Sequence, residues 1–244
     1  MSESYRALSS DFYVNLKLNL KLDLPRERQT ILDLFDRVRR QFPSMSQFRR
    51  YRDELALEAE AAAPQHRWVA IRNNNIRAGA VNPSTLAEAY TLHRHVLDVA
   101  PYFLSISPLD VDYIEVLYGF DMLAERNHDE IVYEALVAES PMAKLLDIPG
   151  SQIVDCQPIF GVVLREQGDV EVHFEVKTRS AGKEGRGDEP ISIYLTLRKY
   201  GPVTEVKQLP DVLAQLARQG EDLVDNRLVP NIVVPIRDAL GSNR

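Results

Sequence analysis

The sequence predicts an α+β fold. The expected architecture is a duplicated β-α-β-β-α unit whose strands join one mainly antiparallel sheet, with helices on one face and a saddle-like outline. Three observations carry this expectation. Residues 12–24 alternate without a break, setting Phe12, Val14, Leu16, Leu18, Leu20, Leu22 and Leu24 against Tyr13, Asn15, Lys17, Asn19, Lys21 and Asp23. That period of two marks a strand with one wet face. Residues 111–123 are mostly apolar on both alternating sets, as a strand covered on both sides near the middle of a sheet would be. The order of elements then repeats between the halves, at an offset of about 98 residues that aligns Asp23, Glu27, Arg28 and Pro43 with Asp121, Glu125, Arg126 and Pro141.

Taken in order, residues 1–10 carry no pattern and read as a flexible arm. After the first strand, Pro25 suits an opening helical turn, and Ile31, Leu34, Phe35, Val38 and Phe42 recur at helical spacing until Phe42-Pro43 stops the run. Residues 48–63 mix helix-favouring composition with strand-like alternation; they are expected to be a strand because the second half carries a clear one at the matching place. Residues 66–72 and 76–81 flank Asn73-Asn74-Asn75 and read as a tight hairpin, since Asn tolerates positive φ. Pro83-Ser84-Thr85 opens a helix with Leu86, Tyr90, His93 and Leu97 along one stripe.

The second half opens on the strand at 111–123, where Gly119 suggests a bulge or a close approach. Asn127 and Glu130, three apart, have the spacing of a helix cap ahead of Ile131 and Val132. A short helix at 142–147 ends at Pro149-Gly150. Residues 153–165 and 169–179 form a hairpin around Gln167-Gly168, and the glycine-rich stretch 180–190 reads as a mobile connection. Residues 191–199 alternate again, and Pro210 opens a helix with Val212, Leu213 and Leu216. The expected organisation is one domain over residues 11–227, made of pseudo-repeats at about 11–107 and 108–227, followed by a docking tail at 228–244 that carries Pro230 and Pro235.

This layout is similar in outline to the TATA-binding-protein fold, a duplicated saddle. The resemblance is one of topology, without a shared sequence motif, and implies nothing about function.

Composition narrows the function classes. The net charge of −7 gives no long-range attraction to phosphate, so nucleic-acid binding is disfavoured. The densest basic cluster, Phe48-Arg49-Arg50-Tyr51-Arg52, is followed at once by Asp53, Glu54, Glu58 and Glu60 and reads as an internally paired surface. No apolar window reaches the roughly 18 residues of a membrane span, and the N-terminus lacks an export pattern. A lone cysteine, Cys156, rules out an internal disulfide and fits a reducing, cytoplasmic setting.

Catalytic signatures are missing from the sequence. Gly182-Lys183 is followed by Glu184 instead of the hydroxyl that a phosphate loop needs, and Arg186-Gly187-Asp188 is a chance tripeptide. His93 and His95 point apart on a helix, so no metal is expected, and no cofactor either. His93 reads as a hydrogen-bonded core residue. Glu115 interrupts a central strand and needs a partner if buried; an arginine is the expected one.

The best candidate is a surface: the outward sides of three strands, with Tyr13, Lys17, His173, Glu175, Tyr194 and Arg198 as binding residues. The first expectation is a non-enzymatic cytosolic binding or scaffold protein that uses this face with a protein partner or with itself as a homodimer. The alternative is an enzyme or small-ligand-binding protein with a cleft around Glu115 and His173. A second alternative is nucleic-acid binding through the same face, against which Glu171 and Glu175 argue.

Overall fold

The computed structural model describes residues 5–60, 65–165, 169–178 and 189–241. Alternation makes the strands, and the polar-in-one-face pattern decides that they share one layer. Nine strands form one antiparallel sheet: β1 (Asp11–Leu20), β2 (Gln47–Arg50), β3 (Glu54–Glu58), β4 (His66–Arg72), β5 (Asn75–Val81), β6 (Val111–Met122), β7 (Ile159–Leu164), β8 (Val170–Lys177) and β9 (Ile191–Tyr200). Their spatial order is β2-β3-β4-β5-β1-β6-β9-β8-β7. The two strands that the sequence singled out lie side by side at the centre, with Leu16 opposite Val116 and Lys17 opposite Glu115. From that pair the sheet runs outward through β5, β4, β3 and β2 on one side and β9, β8 and β7 on the other. Four strands therefore stand between the helices of the first half and three in the second.

The helices cover one face only. They are α1 (Arg28–Gln41), α2 (Leu86–Phe103), α3 (His128–Leu136), a single turn α4 (Ala143–Leu146), α5 (Leu209–Leu223) and α6 (Val234–Gly241). Helix α2 lies against β1 and β5, α5 against β6 and β9, and the two helices meet each other. Beneath them Phe12, Val14, Leu16, Leu18, Ile114, Val116, Tyr118, Phe120, Ile193, Leu195 and Leu197 are buried. Burying an apolar side chain contributes roughly 1.5–3 kcal/mol, so this single layer accounts for most of the driving force.

Local chemistry explains the boundaries. Asn127 accepts from the backbone N–H groups of Asp129 and Glu130, which satisfies the start of α3 as the spacing predicts. Thr85 does the same for α2 by accepting from Glu88. The ladder between β1 and β6 is continuous past Gly119, so the glycine serves a close approach and not a bulge. A Cβ at Gly119 would lie 2.2 Å from the Tyr13 ring.

Several expectations change. The first strand ends at Leu20; Leu22 is exposed, although Leu24 returns to the core. The strand expected over 48–63 is instead the hairpin β2–β3 around residues 51–53; residues 61–64 lie outside the described residues. The strand expected over 153–165 begins only at Ile159. The turn at Gln167-Gly168 and the stretch 180–188 lie outside the described residues. From Tyr5 onward the expected arm is tied down: Tyr5 is buried against Phe12 and Phe120, and its hydroxyl donates to Asp225. The expected docking tail is helical over residues 228–241. α5 continues through wider π-type turns over Val224–Val233 into α6, and Leu228, Val233 and Ile236 are buried. Among the described residues no helix is long and apolar enough to cross a membrane.

Candidate functional site

Because strand residues alternate, every strand that buries one set of side chains presents the other set on the uncovered face. Register then decides which of them are neighbours. One row crosses the sheet as Arg77, Lys17, Glu115, Arg198 and Glu171 on β5, β1, β6, β9 and β8. The next row holds Trp68, Gly79, Asn15, Leu117, Thr196 and His173. A third row holds Tyr13, Gly119, Tyr194 and Glu175.

All six residues expected from the sequence lie on this face, in two clusters. Glu115 is held by Arg198, whose Nε and Nη2 donate to one carboxylate oxygen at 2.9 and 2.6 Å. Arg198 also sits 4.4 Å from the centre of the Tyr113 ring and donates to the Tyr200 hydroxyl. Burial alone would lower the Arg198 pKa, but hydrogen bonds to Tyr200 and Glu115 outweigh it and raise it. Lys17 donates to the Tyr113 hydroxyl at 2.6 Å and joins the same cluster. In the second cluster the Tyr13 hydroxyl donates to Asp121, and the Tyr13 and Tyr194 rings lie 6.4 Å apart. Burial, followed by hydrogen bonds to Tyr194 and Asp121, pushes the Tyr13 pKa upward. Lys177 pairs with Glu175 and lies over the Tyr194 ring. His173 packs over Gly161 of β7, where a Cβ would lie 3.1 Å from its ring.

Glu115 and His173 do not converge. They stand two strands and one row apart, on the order of 10 Å, and Glu115 has its arginine. Among the described residues no group of three or more His, Cys, Asp or Glu side chains could hold a metal ion.

The face is not flat, and sequence reasoning missed a hollow in it. A hollow of about 550 Å³ opens over β1, β4 and β5, lined by Asn15, Lys17, Asn19, Trp68, Arg72, Asn73, Asn74, Asn75, Arg77, Glu115 and Leu117. Arg77 pairs with Glu54 and lies over the Trp68 ring, and burial lowers its pKa. Gly79 makes room: a Cβ there would lie 2.4 Å from both Asn15 and Trp68. Three buried atoms of the lining have no hydrogen-bond partner: Asn15 Oδ1, Asn75 Oδ1 and Arg77 Nε. A second hollow of about 390 Å³ continues from Trp68 and Arg77 toward Tyr51 and Glu58.

In the basic cluster at 48–52, Arg49 is paired as expected. Arg49 bridges to Glu58 at 3.0 Å, and the Tyr51 hydroxyl donates to the same carboxylate group. Comparison with protein-family models and with curated proteins gave no match to this chain.

Proposed function

We propose that the chain is a non-enzymatic binding or scaffold protein of the cytosol that works through its open sheet face and associates with itself. The observation that carries this reading is the one-sided helix layer. Among the described residues the nine-stranded sheet leaves a broad face bare, and Glu115, Arg198 and Lys17 on it are already paired and held in place. Such a surface is preorganised for contact, with the Tyr113 and Tyr200 rings at one end of the β6–β9 ladder and Tyr194 further along it. The ion-paired Glu115, far from His173, suits recognition better than proton transfer. The outward order of strands from the β1–β6 pair supports a duplicated origin, although four strands in the first half and three in the second stand where a β-α-β-β-α unit places two between its helices.

The test is a photo-crosslinking amino acid placed at Tyr194 on the open face or at Tyr102, which is exposed on α2. The reading expects one discrete adduct from position 194 and none from 102. Equal yields at both positions would contradict it.

The hollow favours a second reading, small-ligand binding. Its lining of asparagine amides with Lys17, Arg72 and Arg77 suits a ligand rich in hydroxyl groups, which can both donate and accept. Trp68 is the sole tryptophan, so its emission reports this site directly. A ligand seated here shifts that emission, and Trp68→Phe abolishes the signal while Arg77→Ala weakens binding. Binding that Arg77→Ala leaves unaltered counts against the reading.

A further inference from the structure

The two edges of the sheet are built differently. Edge β2 has four residues, two of them arginines, and Arg49 is tied back to Glu58. Short, charged edges of this kind resist pairing with other chains. Edge β7 is Ile-Phe-Gly-Val-Val-Leu, six residues without a charge. Ile159, Phe160, Val162 and Val163 are 58%, 61%, 49% and 48% exposed, so both faces of the strand are apolar and wet.

Among the described residues its backbone is also open. The Pro158 carbonyl accepts from Val176 N of β8 at 3.0 Å. Since hydrogen-bonding direction alternates along an antiparallel strand, Phe160, Val162 and Leu164 turn toward β8, while Ile159, Gly161 and Val163 turn their N–H and C=O groups outward. Unpaired groups beside apolar side chains are costly to leave exposed and well suited to strand addition.

We propose that β7 pairs antiparallel with β7 of a second copy about a two-fold axis at Gly161, joining the two sheets edge to edge. Sequence symmetry selects the second copy as occupant. In that register Ile159 meets Val163 of the other copy, Phe160 meets Val162, and Gly161 meets Gly161, so apolar side chains face apolar ones throughout. Each outward residue exchanges hydrogen bonds with its opposite. Centring one residue later would set Ile159 against the charged Arg165. The absence of charge in the strand matters, because two copies of an acidic chain must approach.

The four exposed side chains supply on the order of 400 Å² per copy, about half of the roughly 800 Å² that a stable interface buries on each partner. The backbone strip extends the contact. This inference deepens the self-association reading and names its surface. It leaves the open faces of both copies on the same side, free for a partner.

The test measures solution mass and backbone hydrogen exchange on the full chain. The wild type is expected to be a dimer with slow exchange at Ile159, Gly161 and Val163. Two variants act by different physics: Val162→Lys places like charges in the apolar seam, and Val163→Pro removes one outward donor. Both are expected to yield folded monomers with fast exchange on β7. A dimer that survives both variants would place self-association elsewhere and overturn the assignment to β7. A wild type that is monomeric would remove self-association altogether, while the open-face reading would stand or fall on its own crosslinking test.

Discussion

At the scale of single residues, the sharpest lesson is His93. The apolar stripe of α2 put it in the core, and it is fully buried. The expected hydrogen bond is not made: its ring lies near the Val14 backbone, yet neither nitrogen has a partner of good geometry. Burial lowers its pKa to about 3, whereas an unfolded histidine titrates near about 6.5. Between those values the unfolded chain binds the extra proton and the folded chain does not. Stability therefore falls as pH falls, by as much as about 1.4 kcal/mol per pH unit. Urea unfolding as a function of pH should show that slope in the wild type and lose it in His93→Leu; parallel slopes would refute the assignment. The Glu115–Arg198 pair gives a second residue-scale prediction. With side-chain exposures of 13% and 28% it is partly screened, so Glu115→Gln is expected to cost about 1 kcal/mol. A double-mutant cycle with Arg198→Ala should recover coupling of that size, and additive effects would mean the pair contributes nothing. The sequence made Glu115 legible because a carboxylate in a central strand needs an explanation. Trp68 and Arg77 were overlooked because only the outward sides of β1, β8 and β9 were counted. The same alternation in the Asn73–Asn75 hairpin would have brought both residues onto that face.

At the scale of elements, alternation located β6 almost to the residue and β1 at its start, though β1 ends four residues early at Leu20, and cap chemistry located the start of α3. The expected docking tail carried no assignment of secondary structure, and wider π-type turns from Val224 to Val233 carry the chain through Pro230. Pro158 lacks an N–H and marks the true start of β7, so the residues before it could not extend the strand. Helix α5 carries the clearest prediction at this scale. Gly220 lies near its end, and by propensity alone Gly220→Ala would stabilise the helix by about 1 kcal/mol. Here a Cβ would lie 2.3 Å from the Tyr118 ring, whose hydroxyl bonds to Tyr90 and to the Ala217 carbonyl. Gly220→Ala is therefore expected to destabilise by about 1–3 kcal/mol through overpacking. A raised thermal midpoint would show that Tyr118 has more room than the packing implies.

At the scale of the whole molecule, the strand patterns foretold one antiparallel layer covered by helices on one side, because a wet face is written into alternate residues. They could not foretell which edge would be left unguarded, since edge position is fixed by strand order and not by local pattern. Two chains of net charge −7 repel at long range, and salt screens that repulsion. Dimerisation through an uncharged β7 seam is therefore expected to tighten from low to high salt, as sedimentation can measure; weakening by salt would point to an interface built on ion pairs. The central claim is that the bare face of the sheet is where the protein meets its partner. Its most direct test is tyrosine labelling of the protein inside cells against the purified chain. Tyr200 on the open face and Tyr102 on α2 are both well exposed in the free molecule. The account expects Tyr200 to be protected in cells and Tyr102 to label equally in both settings. Equal labelling of Tyr200, or protection of Tyr102 alone, would contradict it.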